Sequence, residues 1–236
     1  MLFWLTKRLM TTLMSPRLAL RFLFSKKPSF KYYDSLNSID FSAKMKTVSS
    51  QYMTRFLLPK PALESLIFEL KSEKYREILI DFNIKNPFVN YVGLYEIKSL
   101  NDKDIGKSIY ANHWHTDDSL HVGCIKIFQL LKTISSEDGP MEFIKKDDTK
   151  FNWKKLFFRG EFLSHESKVF KYTEGDRALF LDTRSCLHKA GVPKNGNKRI
   201  MLMAQIIDKK KTENLDKLFM NQYHKEPTAL KRLFLN

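Results

Sequence analysis

The chain has 236 residues, and its 41 Lys and Arg residues outnumber its 26 Asp and Glu residues, giving a formal net charge of +15. A hydrophobic content of 43% with 19 Phe argues against an intrinsically disordered chain and fits one folded domain. The two cysteines, Cys124 and Cys186, are too few for a disulfide scaffold or a thiolate zinc site. Both are expected to be buried in a protein of a reducing, cytoplasmic compartment.

Residues 1–31 form a basic segment that precedes the main domain, and the first acidic residue is Asp34. Charges interrupt every apolar run, which argues against a membrane span or a secretory signal. An amphipathic helix packed on the domain is the preferred interpretation. The same helix resting on an anionic membrane surface and a mitochondrial transit peptide are the alternatives. Residues 32–236 are predicted to form a single domain.

A helix is predicted over residues 59–82, because apolar residues recur there at helical spacing after Pro59. From residue 88 the pattern changes to short runs rich in Val, Ile, Phe and Tyr, as expected for strands. These runs are FVNYVGLYEI, VGCIKIFQLL, PMEFI, RALFLD and RIMLMAQII. The order predicts a mainly β (α+β) fold, an antiparallel sandwich or small barrel with flanking helices. Its core covers about residues 88–207, and a helical tail follows over 208–236.

The decapeptide ANHWHTDDSL, residues 111–120, contains the pattern His-x-Asp. In an extended strand His115 and Asp117 point to one side, with His113, and together they are able to bind one metal ion. The pattern is weak by itself, because a polar strand end with a hydrogen-bonded histidine explains it equally well.

His188 lies at the end of another strand-like run, LFLDTRSCLHKAG. Two histidines and one carboxylate that leave other positions open suit non-haem Fe(II) in oxygen chemistry. Arg199 follows, and the intervening KAGVPKNGNK predicts a turn that would pair the strand of Arg199 with that of His188. A guanidinium at this position is able to hold a carboxylate through two parallel hydrogen bonds.

The segment NHWHTDDSLHVGCIKIFQLLKTISSEDGPMEFI, followed by GDRALFLDTRSCLHKAGVPKNGNKRIMLMAQI, resembles the phytanoyl-CoA dioxygenase family of Fe(II)/2-oxoglutarate oxygenases. The resemblance covers about residues 88–207 and includes EDGPMEFI as a hairpin. It implies a double-stranded β-helix, which is a jelly-roll or cupin-like barrel. It also implies hydroxylation of a C–H bond in a small, anionic or lipid-like substrate, with O2 as cosubstrate and ascorbate as a candidate reductant.

Transferred by position, the resemblance makes His115, Asp117 and His188 the iron ligands, and Arg199 the residue that binds the distal carboxylate of 2-oxoglutarate. His113 would then be a pocket residue and Asp118 a turn residue. A cupin-type site that uses His113 and His115 is the competing interpretation, but it leaves Arg199 without a role. Asp117 also distinguishes the chain from halogenase-like relatives, which lack this carboxylate.

One segment departs from the family pattern. Relatives often continue with Gly-Ser-His where KKDDTK follows Ile144, so the substrate is not predicted. Asp182, Arg184 and Cys186 share the alternation of His188. A salt bridge between Asp182 and Arg184 is preferred over contact with an anionic substrate, and Cys186 is expected to be buried. The aromatic residues of 88–95 and Met201 and Met203 are expected in the core, or in the cavity lining.

Two other functions remain open from the sequence. A non-catalytic jelly-roll module that binds sugars or proteins would be expected to lack one ligand or the arginine, and none is missing. An oxygenase acting on nucleic acid is suggested by the net charge of +15. The basic residues are spread over termini and loops and do not alternate with aromatics along one face, so nucleic acid is not the expected partner. A lysine-rich solvated surface explains the charge equally well, and the sequence gives no oligomeric state.

Overall fold

The computed structural model of the chain describes residues 28–36, 45–107, 109–117, 124–145 and 168–208. The strands are β1 (Phe30–Asp34), β2 (Lys46–Ser49), β3 (Met53–Leu57), β4 (Pro87–Lys98), β5 (Cys124–Leu130), β6 (Met141–Ile144), β7 (Val169–Tyr172), β8 (Arg177–Leu181), β9 (His188–Lys189) and β10 (Lys198–Asp208). The helices are α1 (Lys60–Leu70) and α2 (Glu73–Asp81).

The described strands form two antiparallel sheets. The large sheet has the order β1-β8-β5-β10-β4-β3-β2, and the small sheet has the order β7-β6-β9. Side chains from β5, β8 and β10 form one buried cluster with Met141, Phe143 and Tyr172 of the small sheet. The two sheets therefore face each other across an apolar interior, as in a jelly roll, and the predicted mainly β barrel is confirmed.

The side chains of strand β10 lie on both faces of the large sheet. Successive side chains of a strand point to opposite faces, so Arg199, Met201 and Met203 turn towards the small sheet. Leu202, Ala204 and Ile206 turn the other way and pack with the buried residues of α1 and α2. The face of the large sheet that is turned towards the small sheet is called the inner face below, and the opposite one the helix-covered face.

The single helix predicted over residues 59–82 is wrong in one respect, because the structure contains two helices. α1 ends at Leu70, and Ser72, with φ −67° and ψ 161°, is the extended N-cap of α2. Because of the break, the apolar side of α2 packs on the same core as the leucines of α1, and it contributes Tyr75, Ile78 and Leu79. The helical periodicity holds on both sides of the break, but periodicity alone does not reveal a change of helix axis.

Two predicted strand pairings are also wrong. The strand of Arg199, β10, pairs with β4 and β5, whereas the strand of His188, β9, pairs with β6. The EDGPMEFI segment is not a hairpin, because its strand β6 pairs with β7 and β9 and not with the preceding β5. In both cases a polar turn carries the chain from one sheet to the other. Turn residues signal that the chain reverses, but they do not identify the strand it then joins.

Strands β1 to β3 extend the large sheet beyond the predicted barrel core. Phe30 and Lys31, which the sequence analysis placed in the basic N-terminal segment, begin β1 and pair with Leu181 and Phe180. Residues 1–27, residues 209–236 of the tail and Asp118 lie outside the described residues. Within the described part of the chain, no helix has the length and apolar character needed to cross a bilayer.

Candidate active site

Three side chains predicted as metal ligands come together in the structure. The donor atoms of His115, Asp117 and His188 all lie within 4.8 Å of one another. His188 begins β9 and is paired with Phe143 on the small sheet, while His115 and Asp117 lie on the connection between β4 and β5. Residues far apart in the chain thus lie close enough to bind one metal ion, and their role as iron ligands stays a prediction.

Backbone hydrogen bonds hold the two segments together. The His115 amide donates to the His188 carbonyl at 3.0 Å, and the His188 amide donates to the His115 carbonyl at 2.9 Å. The Asp117 amide donates to the Thr183 carbonyl at 2.9 Å. The segment is not a continuous strand, as the sequence analysis assumed, because His115 forms only an isolated bridge with His188. This bridge nevertheless places the two imidazole centroids 4.3 Å apart.

Both histidines have a defined tautomer. The Nδ1 atom of His115 lies 2.8 Å from the His113 carbonyl, and the Nδ1 atom of His188 lies 3.1 Å from the Cys186 carbonyl. A carbonyl oxygen only accepts, so each Nδ1 carries a proton, and Nε2 is the ring nitrogen left to bind a metal ion. A backbone carbonyl behind the ring is the usual partner of a metal-binding imidazole.

Asp117 is paired with Lys126, which the sequence analysis did not identify. Lys126 Nζ lies 2.8 Å from Asp117 Oδ2, and the two side chains are 18% and 17% exposed. Burial alone would raise the pKa of Asp117, but the Lys126 ammonium, His188 and the nearby Thr183 side chain lower it below its usual value. The other oxygen, Oδ1, lies 3.9 Å from His188 Nε2, so this oxygen faces the histidines.

The buried surroundings of His188 favour its neutral form. Its side chain is buried at 5% exposure, and burial lowers its pKa to about 4, although the Asp117 carboxylate acts in the opposite direction. A neutral imidazole is the form that binds a metal ion. The site therefore offers the Nε2 atoms of two imidazoles and one ionised carboxylate.

Arg199 is fully buried, with 0% exposure, on the inner face of β10. Its Nη1 donates to the Gly191 carbonyl at 2.8 Å, while its buried Nε and Nη2 have no hydrogen-bond partner among the described residues. Burial lowers its pKa to about 10, which leaves it charged at neutral pH. A buried guanidinium with unused donors requires an explanation, because such groups are normally satisfied.

The remaining predicted residues have structural contacts. Asp182 accepts hydrogen bonds from the Ser185 hydroxyl at 2.6 Å and from the Arg184 amide at 3.3 Å, so it shapes a turn, and no salt bridge with Arg184 is found. Cys186 is buried in the apolar cluster between the sheets, as expected. His113 supplies the carbonyl that fixes the His115 ring.

Lys126 could have been found from the sequence. It is the charged residue of the apolar run that forms β5, and it shares its parity with Cys124 and Phe128, which are buried. A charge at a position expected to face a core calls for a partner. The carboxylate that pairs with Lys126 lies outside this run, so the run by itself predicts an apolar strand.

Comparison with solved structures supports the fold assignment. The chain is similar to an oxidoreductase of the 2OG-Fe(II) oxygenase family from Burkholderia pseudomallei, with 11% identity, a TM-score of 0.50 and coverage of 84% of this chain and 92% of that one. It is also similar to SnoK, a non-heme alpha ketoglutarate dependent carbocyclase from nogalamycin biosynthesis, with 10% identity, a TM-score of 0.51 and coverage of 79% and 83%. The structural neighbours are thus non-haem 2-oxoglutarate/Fe(II) oxygenases that share the jelly-roll fold. No family model and no curated protein sequence matches the chain.

Proposed function

We propose that the protein is an Fe(II)- and 2-oxoglutarate-dependent oxygenase that hydroxylates a C–H bond of a small molecule. We further propose that it is a divergent relative of the phytanoyl-CoA dioxygenase family. The observation that carries the proposal is the set of His115, Asp117 and His188 donor atoms within 4.8 Å, on the same interior as a buried arginine with unused donors.

The residues present fit a ferrous ion. His115 and His188 would bind through Nε2, since each Nδ1 is used by a carbonyl, and Asp117 would bind through the oxygen that Lys126 leaves unpaired. Two imidazoles and one carboxylate form the facial set typical of non-haem Fe(II) and leave positions for other ligands. Lys126 would remain paired with Oδ2 of Asp117, so Oδ1 is the oxygen that would bind the metal ion.

The residues present also fit 2-oxoglutarate. Arg199 offers Nε and Nη2, the pair of N–H groups that matches the two oxygens of a carboxylate. Its burial excludes water and strengthens the interaction with an anion. We propose that Arg199 binds the distal carboxylate of the cosubstrate. This role explains why a cation is buried inside an apolar barrel.

Iron, 2-oxoglutarate and O2 together would supply the oxidising chemistry that removes a hydrogen atom from an unactivated C–H bond. The protein supplies position and a dry environment. Phe128, Met141 and Phe143 are buried in the apolar cluster between the sheets. Such walls exclude water from the reacting centre and hold a substrate next to it.

The first test uses the weak visible charge-transfer band that forms when Fe(II) and 2-oxoglutarate bind together. The anaerobic wild-type protein should develop this band, and His188→Ala should abolish it because one nitrogen ligand is lost. Arg199→Ala should weaken the binding of 2-oxoglutarate by at least about tenfold, because a charge-assisted hydrogen bond contributes about this much to the affinity.

His113→Ala is the matched control for the histidine substitution. It should keep the band, since the His113 carbonyl that holds the His115 ring belongs to the backbone and is retained in the variant. Loss of the band in His113→Ala would favour the cupin-type alternative. A wild-type protein that forms no band would refute the oxygenase proposal and leave a jelly-roll binding module as the better interpretation.

A further inference from the structure

A second arginine, Arg55, lies on the inner face of the large sheet. Arg55 on β3 is paired with Tyr95 on β4, and Tyr95 is paired with Met201 on β10. Paired residues share a face, so Arg55 points to the same side as Met201, which belongs to the cluster between the sheets. A cationic side chain is therefore directed at the interior from a strand that the sequence analysis left unassigned.

Two tyrosines form a platform for this arginine. The Arg55 guanidinium carbon lies 5.7 Å from the ring centroid of Tyr91 and 5.9 Å from that of Tyr95. Between the tyrosines is Gly93, where an added Cβ would lie 2.5 Å from the Tyr95 hydroxyl and 2.6 Å from the Tyr91 hydroxyl. Both phenols thus occupy the space above Gly93, and stacking limits the orientations of the guanidinium.

The charge of Arg55 is not compensated within the described residues. Its Nη2 is buried and has no hydrogen-bond partner there, and no described carboxylate forms an ion pair with it. The other charged side chains on the inner face of β3, β4, β5 and β10 are Lys126 and Arg199, which are also cations. Lys126 is paired with Asp117, so the uncompensated positive charge on these strands comes from Arg55 and Arg199, and it attracts anions.

Arg55 is distinct from the position assigned to the cosubstrate. Arg199 is paired with Ile97 and Arg55 with Tyr95, so their backbones are two strands and two residues apart. Strand geometry then separates their Cα atoms by about 12 Å. Arg199 is fully buried, whereas Arg55 is half-buried. Arg55 lies near the sheet edge formed by β2, where Val48 is 59% exposed. Val48 is paired directly with Arg55, so this edge of the inner face reaches the protein surface.

We propose that Arg55, held on Tyr91 and Tyr95, binds a carboxylate or phosphate of the substrate, so that the oxygenase acts on an organic acid or phosphate ester and not on its neutral analogue. The assignment of the bound molecule as substrate rests on the proposed function. The anion site itself does not, because it depends only on Arg55 and its surroundings.

The test measures binding of three aryl probes that differ in charge. The probes are 4-fluorophenyl phosphate, 4-fluorophenylacetate and the neutral 4-fluorophenylacetamide, followed by fluorine NMR on the full chain with and without Ni(II) and 2-oxoglutarate. The two anions should bind at least about tenfold more tightly than the amide, and Arg55→Gln should remove this difference.

Two further variants keep the test specific. Arg177→Gln is the matched control, because Arg177 also lies over a tyrosine ring, Tyr32, but is ion-paired with Glu174, and it should bind the probes as the wild type does. Gly93→Ala should weaken anion binding while Arg55 is present, since the new methyl displaces the tyrosines. Circular dichroism of each variant checks that it is folded.

The outcomes separate this proposal from the proposed function. Equal affinity for amide and anions, no binding of either anion, or unchanged anion binding in Arg55→Gln would overturn the anion site. Weakened 2-oxoglutarate binding in Arg55→Gln with unchanged probe binding would make Arg55 part of the cosubstrate site and also overturn it. Failure of the wild type to bind 2-oxoglutarate, with the probes still bound through Arg55, would refute the oxygenase and leave the anion site standing.

Discussion

The two faces of the large sheet differ in what they contain. The helix-covered face presents Leu202, Ala204 and Ile206 from β10, each at most 1% exposed, to the leucines of α1. The inner face presents Arg199 from the same strand, and Arg55 and Lys126 from its neighbours. One face contributes apolar burial, which stabilises the fold. The inner face adds to its own apolar cluster charges that cost free energy to bury, and such groups often mark binding sites.

This comparison predicts that substitutions on the helix-covered face change stability more than binding. Leu202→Ala should lower the free energy of unfolding by about 3 kcal/mol, because Leu202 is 1% exposed and a cavity remains. Urea unfolding measures this loss, and Ni(II) titration at low temperature should give an unchanged affinity. Phe68→Ala is the control, since Phe68 is 80% exposed and its removal should have little effect. A large loss of Ni(II) affinity in folded Leu202→Ala would contradict the division between the faces.

The pH dependence of stability is predicted from the buried imidazole. The pKa of His188 falls from 6.5 to about 4 on folding, so the unfolded chain takes up the proton first and stability decreases as pH falls through this window. The contribution is at most about 3 kcal/mol. Urea unfolding of metal-free protein at both ends of the window should show a smaller decrease for His188→Gln than for wild type. Parallel profiles for the two proteins would contradict the assigned burial effect.

A third prediction compares two lysines that each contact a carboxylate at 2.8 Å. Lys126→Met leaves the enclosed Asp117 without its cation and should destabilise the metal-free protein by roughly 1–3 kcal/mol. Lys198→Met should cost less than about 1 kcal/mol, because Lys198 is 61% exposed. Thermal unfolding with Ni(II) should reduce the Lys126 effect, since a bound cation replaces the ammonium. An effect of Lys126→Met that is independent of Ni(II) would count against a shared carboxylate.

The smallest expected effect concerns Arg199. In the absence of cosubstrate its Nε and Nη2 are buried without a described partner, so Arg199→Met should stabilise the metal-free protein by about 1 kcal/mol. The same variant should lose 2-oxoglutarate binding, which isothermal titration with Ni(II) would detect. Destabilisation by this change would show that the arginine supports the fold of the inner face.

Much of the secondary structure was readable from local pattern. The run FVNYVGLYEI lies within β4, and RIMLMAQII lies within β10, because alternation and β-branched residues report a pleated, half-buried strand. The helical spacing before residue 82 was also correct, apart from the break at Ser72. These features depend on neighbouring residues in the chain.

The site was only partly readable. The resemblance to a known family pointed to His115, Asp117, His188 and Arg199, and the structure gathers the first three within 4.8 Å. The charge of Lys126 stands out in its apolar run, but its partner Asp117 and the surroundings of Arg55 are visible only in the folded chain. The pairing expected between the strands of His188 and Arg199 was wrong for the same reason.

The sequence by itself determined which segments alternate, which residue types are able to hold a metal ion, and that the chain folds around apolar strands. The tertiary structure decided which strands are neighbours, which face of β10 meets the helices, and that the inner face gathers Arg55, Lys126 and Arg199. The physical reason is that periodicity is fixed by the geometry of one strand. Convergence depends on hydrogen bonds and burial between segments that are able to join in many orders with equally good local patterns.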